Sequence, residues 1–278
     1  DAPLTRADAL AAWQAFLPRT ADYATKRNHV VNDHSHVSRL SAAIRYRLIT
    51  EDEVIKDSLL THRFLKVEKW LQEVCWRRYW KGWLEMRPDV WTSWRRRVAE
   101  LRRNLPPEVL NKAEAVAAGQ SGVACMDAFA HELIHTGYLH NHARMWWASF
   151  WIHAEKLPWE LGADFFFRHL LDADPASNTL SWRWVAGLHT RGKPYPADAQ
   201  NIATFTAGRF TPRSSDLAEV TQGLEASEPD GLPPVLPLRA VSKDASRLRK
   251  LLASISFCRC FTLWRKSWTV CTSASRVN

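Results

Sequence analysis

The sequence predicts an all-α, multi-helical fold, and three observations carry that prediction. In the stretch from Phe64 to Met86, FLKVEKWLQEVCWRRYWKGWLEM, residues Trp70, Glu73, Arg77 and Trp80 recur at helical spacing before Pro88 stops the run. Asp174 followed by Pro175 is a capping residue with proline at the first helical position. Thr50-Glu51-Asp52-Glu53 places three acids in the first turn of another helix, where the helix dipole favours them.

A chain of 278 residues allows one large domain or two small ones, with ample core. Fifteen Trp can pack, stack on rings or carry electrons, and composition does not choose among these. A net charge of +9 is consistent with an anionic partner, nucleic acid or a phosphate-bearing cofactor, and equally with a basic solvated surface. The five Cys form no CxxC pair, which excludes a disulfide framework or zinc ribbon and predicts a reduced, cytoplasmic compartment. No signal-like segment opens the chain and no uncharged apolar run reaches membrane-spanning length. The first residue, Asp1, reads as the start of a fragment or a processed form.

Taken in order, residues 1–22 read as a helical lead-in, with Leu10, Trp13, Phe16 and Leu17 near helical spacing. After Tyr23–Asn28 comes a His-rich loop ending in Val37-Ser38-Arg39-Leu40-Ser41. Ser41 is expected to cap a helix starting at Ala42; such a terminus is either a phosphate cradle or an ordinary capped helix. On the helix from Phe64, Glu73 beside Arg77 either lines a polar cavity or forms a surface i,i+4 ion pair. Trp91–Leu105 carries five arginines (Arg95, Arg96, Arg97, Arg102 and Arg103), read as a solvated face, and a helix is expected from Glu108 to Ala118.

His131-Glu132-Leu133-Ile134-His135 fits H-E-x-x-H, which could bind zinc and make the chain a metallohydrolase. The Gly137 and His140 spacing is one residue short of the extended form of that signature, and among eleven His a chance match is unsurprising. The stretch from Gly137 to Trp184 gathers an Asn, an Arg, two carboxylates and several indoles, as a site for a large, flat, polar-edged ligand would. Asn141, Arg144 and Met145 share one helical face there, and Asn178 and Trp182 share another.

HNHARM, DADPASN, SWRW and Trp70-x-x-Glu73-x-x-Trp76-Arg77 together resemble the flavin-binding helical domain of the DNA photolyase and cryptochrome family. The resemblance spans roughly residues 20–190 and implies an all-α FAD-binding domain over 23–210, without the antenna-chromophore domain; residues 211–278, rich in Pro, Ser and acids over 211–240, read by composition as an extended tail. It implies that Tyr23, Ser38, Arg39, Leu40, Ser41, Trp70, Arg77, Asn141, Arg144, Asp172, Ala173, Asp174 and Asn178 hold FAD, with Asn178 near the flavin N5. It assigns Arg27 to DNA, Glu73, Trp76, Met145 and Trp184 to the cavity for a flipped pyrimidine dimer, and Trp182 and Trp159 to electron transfer.

Histidines occupy the positions of Asn141 and Met145 in the branch repairing 6–4 lesions, so this pattern implies the cyclobutane-dimer pocket. The implied activity is deoxyribodipyrimidine photolyase-like, with Glu73 and Asn178 as catalytic residues; the competing expectation is a blue-light photoreceptor or redox flavoprotein that repairs nothing. The expected partner is DNA containing pyrimidine dimers, bound by a monomer.

Four departures from the family pattern stand out. Val37 replaces a Thr, Tyr138 replaces a Trp, and no Trp occurs between Arg103 and Ala118, where the surface indole of the electron-transfer chain belongs. The DNA-gripping Tyr-Phe-Arg-Ile-Phe-Asn-Pro loop is replaced by KPYPADAQNIATFTAGRF, Lys193–Phe210.

Overall fold

The computed structural model describes residues 3–190 and 192–218; most of the tail expected over 211–278 lies outside them. Every regular element among the described residues is helical. α1 (Arg6–Phe16) is capped by Thr5, whose hydroxyl accepts the Asp8 N–H while Asp8 returns a bond to the Thr5 amide. Pro18 then turns the expected single helix into a 3₁₀ segment, Leu17–Asp22, followed by the short α2 (Tyr23–Lys26). α3 (Ser41–Arg45) corrects the cap assignment: Leu40 occupies the cap, without a side-chain hydrogen bond, and Ser41 is the first helical residue. α4 (Glu51–Thr61) opens on the reciprocal Thr50–Glu53 capping box.

α5 (Phe64–Glu85) is the central rod. Its N-terminal half buries Val67, Trp70, Leu71 and Val74. These pack with Trp13, Phe16, Leu40, Ile44 and Val54 into one apolar cluster. Its C-terminal half buries Trp83 and Leu84 with Val90, Ala176 and Leu180. α6 (Pro88–Asn104) leaves all five of its arginines exposed, with Arg102 on Asp164 at 2.7 Å, so the solvated-face reading holds. α7 (Pro107–Ala117) begins one residue earlier than expected because proline serves at its first position.

α8 (Ala124–Thr136) ends at Gly137, whose φ of +66° suits a residue without a Cβ. α9 (Asn141–Ser149) runs into a π-helical turn, Phe150–Ala154, and both feed a third and larger core. α10 (Trp159–His169) and α11 (Pro175–Val185) follow, with α11 packed against α5 and α10. Gly162 of α10 permits this closeness, since a Cβ there would collide with the Trp182 ring. α12 (Ala199–Phe205) and a 3₁₀ turn, Ser214–Asp216, close the described fold. No helix among the described residues is long and apolar enough to cross a membrane.

Candidate functional site

One pocket gathers residues far apart in the sequence: Arg39 and Ser41 before and in α3, Gly137 and Tyr138 after α8, Arg144 of α9, and Leu171 and Asp172 before α11. The Arg144 Nε donates to the Leu139 carbonyl at 2.7 Å, which aims Nη1 towards Asp172, 3.7 Å away. The Tyr138 ring lies against both cations, 4.9 Å from the Arg39 guanidinium carbon and 5.9 Å from that of Arg144. Burial pushes the Tyr138 phenol up to about 12, so it stays a neutral wall. Two non-glycine residues near the pocket hold left-handed backbone, Arg39 at φ +54° and Ala173 at φ +35°. Such strain persists where surrounding structure overrides it, and it collects at ligand sites.

Beside the pocket lies a buried charge cluster. Asp174 caps α11, accepting from the Ala176 and Ser177 amides at 3.1 and 3.0 Å, as the Asp-Pro signature predicts. Its other oxygen takes the Arg77 Nη2 at 2.9 Å, with Arg45 and Lys81 each 3.8 Å away. Glu51, only 1% exposed, pairs with Arg47 at 2.7 Å and faces Arg77 at 3.4 Å. Sequence reasoning missed Glu51, Arg45 and Lys81. Glu51 carries the signature of a helix start, and nothing local reveals that it turns inward to meet α5.

The surface Glu73–Arg77 ion pair, the alternative to a polar cavity, does not form. Arg77 turns to Asp174 and Glu51, while Glu73 is held by Lys69 at 2.9 Å and by Arg27 at 3.3 Å. Glu73 thus takes one partner from its own helix and one from the end of α2, while Arg77 takes its partners from α4 and the cap of α11. Trp70 is buried, stacked on Trp13 at 5.7 Å and met edge-on by Tyr23 at 5.1 Å, with its Nε1 donating to the Ser58 hydroxyl. Tyr23 is itself raised in pKa, chiefly by burial. Leu40 is buried in the N-terminal core, and the Ser38 hydroxyl accepts its N–H at 3.4 Å.

The residues assigned to substrate share a different exposure. Arg27, Glu73, Trp76, Met145 and Trp184 are all half-buried. Trp76 stacks on Trp80 at 5.5 Å, the exposed Asn141 reaches the Met145 sulfur at 3.8 Å, and Trp184 lies against Tyr195 at 5.3 Å. Asn178 is buried, donating its amide to the Ala163 carbonyl at 2.8 Å. Among the described residues the ring neighbours of Trp182 are Phe166 at 5.1 Å and Trp147 at 6.2 Å, and Trp147 stacks on Trp151 at 5.2 Å. Trp159 is buried in the same core, 6.0 Å from the Arg183 guanidinium carbon.

The zinc reading finds no support. His131 Nε2 faces the Ala118 carbonyl at 3.1 Å, His135 Nδ1 faces the His131 carbonyl at 2.7 Å, and Glu132 pairs with His34 at 2.8 Å. The three side chains serve three different neighbours, and among the described residues no cluster of His, Cys, Asp or Glu suits a metal ion.

The pocket's donor set suits a dinucleotide. Arg39, Arg144 and the Ser41 hydroxyl offer donors to phosphate oxygens, and Asp172 offers an acceptor to hydroxyl groups. The buried Nε atoms of Arg45 and Arg77 make no hydrogen bond and face the Asp174 and Glu51 carboxylates at 3.8 and 3.4 Å.

Residues 70–208 match the family model of the FAD binding domain of DNA photolyase. The deoxyribodipyrimidine photo-lyase of Streptomyces griseus is 31% identical over 180 residues, covering 63% of this chain and 37% of that protein. That of Salmonella typhimurium is 28% identical over 209 residues, covering 69% and 41%. The chain thus spans less than half the length of these relatives. A class III photolyase from Agrobacterium tumefaciens superimposes with a TM-score of 0.62 at 24% identity, covering 73% of this chain and 43% of that one. The Synechocystis cryptochrome superimposes with a TM-score of 0.63 at 22% identity, covering 72% and 43%. The all-α fold is theirs. With the family model covering half of the sequence, the chain belongs to the FAD-binding domain family of DNA photolyase, and FAD is its cofactor.

Proposed function

We propose that this domain drives electron transfer, under blue light, to a cyclobutane pyrimidine dimer in DNA. When bound and reduced, FAD supplies the electron. Arg39, Ser41, Arg144 and Asp172 hold it, with Arg77 and Asp174 braced behind. One observation carries the reading: all four residues matched to the lesion side, Glu73, Trp76, Met145 and Trp184, are half-exposed, as a seat for a flipped base pair must be. Arg27 and Lys69 both hold the Oε1 of Glu73, so the carboxylate meets an incoming pyrimidine edge without reorganising. Trp76 and Trp184 supply flat apolar faces for the extruded bases.

Photoreversal of a dimer-containing oligonucleotide under blue light, with FAD chemically reduced beforehand, is the direct test. Glu73→Gln is expected to lower the repair yield about tenfold with FAD absorbance unchanged. No repair by the fully reduced wild type would discard the enzymatic reading. A second reading, a photoreceptor or redox flavoprotein without repair, is favoured by Tyr195 lying against Trp184, which narrows the lesion seat. Tyr195→Ala separates the two. Tighter dimer binding and faster repair fit a lesion cavity, and an unchanged absence of repair fits the photoreceptor.

A further inference from the structure

A cationic recess between the end of α5 and the segment after α11 is left unused by the flavin and dimer assignments. Arg87, between α5 and α6, places its guanidinium carbon 4.4 Å from the centre of the Trp83 ring. Its Nε and Nη1 are buried, and no described residue accepts a hydrogen bond from either. His189 packs edge-on against Trp80 at 4.9 Å and against Trp83 at 5.3 Å, and its Nδ1 is likewise buried without a partner. Burial lowers the His189 pKa to about 4, and Arg183 and Arg87 add to that effect. No carboxylate figures among the groups acting on that imidazole.

Buried polar atoms are nearly always satisfied by protein, water or ligand, so three in one recess call for a common partner. Arginine donates in a fork that matches phosphate oxygens, and imidazole adds a further donor in the appropriate tautomer. An anion with several acceptor oxygens answers all three atoms. The position indicates which anion. Trp80 stacks on Trp76 at 5.5 Å and 28°, so the recess lies one ring away from the indole assigned to the lesion. The net charge of +9 favours a polyanion as the source.

We propose that Arg87 and His189, floored by Trp80 and Trp83, seat a backbone phosphate of the DNA strand next to the lesion. This rests on the repair reading, and it adds a residue pair that no motif in the sequence indicates. Phosphate contacts of this kind position a duplex and carry no sequence information, so the seat fixes register rather than base preference.

The test uses the FAD-loaded protein and a fluorescein-labelled duplex carrying one thymine dimer, followed by anisotropy across a salt series. Arg87→Gln is expected to weaken binding roughly fivefold to tenfold and to reduce the slope of log K against log salt by about 1. His189→Asn should weaken binding in the same direction, and Arg96→Gln, whose side chain pairs with Glu100 on the outer face of α6, should not. Flavin absorbance and helical circular dichroism report folding of each variant. Wild-type binding with an unchanged slope in Arg87→Gln overturns the seat and leaves the repair reading standing. Failure of the wild type to bind dimer-containing duplex overturns both. An indole fluorescence response to inorganic phosphate that needs Arg87, with DNA affinity independent of it, assigns the recess to a free anion and overturns the DNA assignment.

Discussion

At the scale of single residues, Asp174 does two jobs: it caps α11 and it neutralises Arg77. Because Asp174 is 2% exposed, removing it strands a nearly buried guanidinium as well as two amides. Asp174→Ala is therefore expected to cost about 3 kcal/mol or more, read from urea unfolding, and to abolish FAD retention. A loss below about 1 kcal/mol would show that the cluster is solvated in solution. Gly162 is the complementary case, where the requirement is for space. Gly162→Ala drives a methyl into Trp182 and Trp151, so a destabilisation of about 1–3 kcal/mol is expected, with changed indole fluorescence. An unchanged unfolding midpoint would mean that α10 and α11 can separate freely.

At the scale of elements, α5 organises the molecule because its two halves serve different cores and its polar positions serve different partners. Trp13 of α1 ties the lead-in to this rod, stacked on Trp70 and donating its Nε1 to Asp57 at 2.9 Å. Trp13→Ala opens a cavity under Trp70, and the expected cost is about 3–5 kcal/mol with weakened FAD binding. If calorimetry finds the melting temperature unmoved, the lead-in is dispensable. The helical periodicity of α5 was legible in the sequence, and so were the cap of α11 and the acids opening α4. The partners that other elements supply to Glu73, Arg77 and Glu51 were not, since an ion pair between helices leaves no periodic trace along either one.

For the whole molecule, pH dependence follows from buried imidazoles. His140 is held neutral, its pKa lowered by burial to about 3, and its Nδ1 accepts the His142 amide at the start of α9. His189 is lowered to about 4, and His36, His142, His153 and His169 shift the same way. The unfolded chain binds these protons near pH 6.5 and the folded chain does not, so stability is intact above pH 6.5 and falls as pH drops towards 4. The expected loss is on the order of 3–5 kcal/mol across that window, read as a falling urea midpoint. His140→Gln should flatten the curve. A midpoint constant from pH 7 to pH 5 would mean that these rings are protonated without strain.

By itself the sequence determined the helical class, the capped starts of α4 and α11, and the set of residue types that a flavin site needs. Each of these depends on spacing along the chain, where backbone geometry places neighbours three or four residues apart. Only the tertiary structure decided that Arg39, Tyr138, Arg144 and Asp172 share one pocket, that Glu73 answers to Arg27, and that Glu51 turns inward to Arg77. Those choices depend on which helices lie side by side, and a buried charge needs the further partners that packing brings to it.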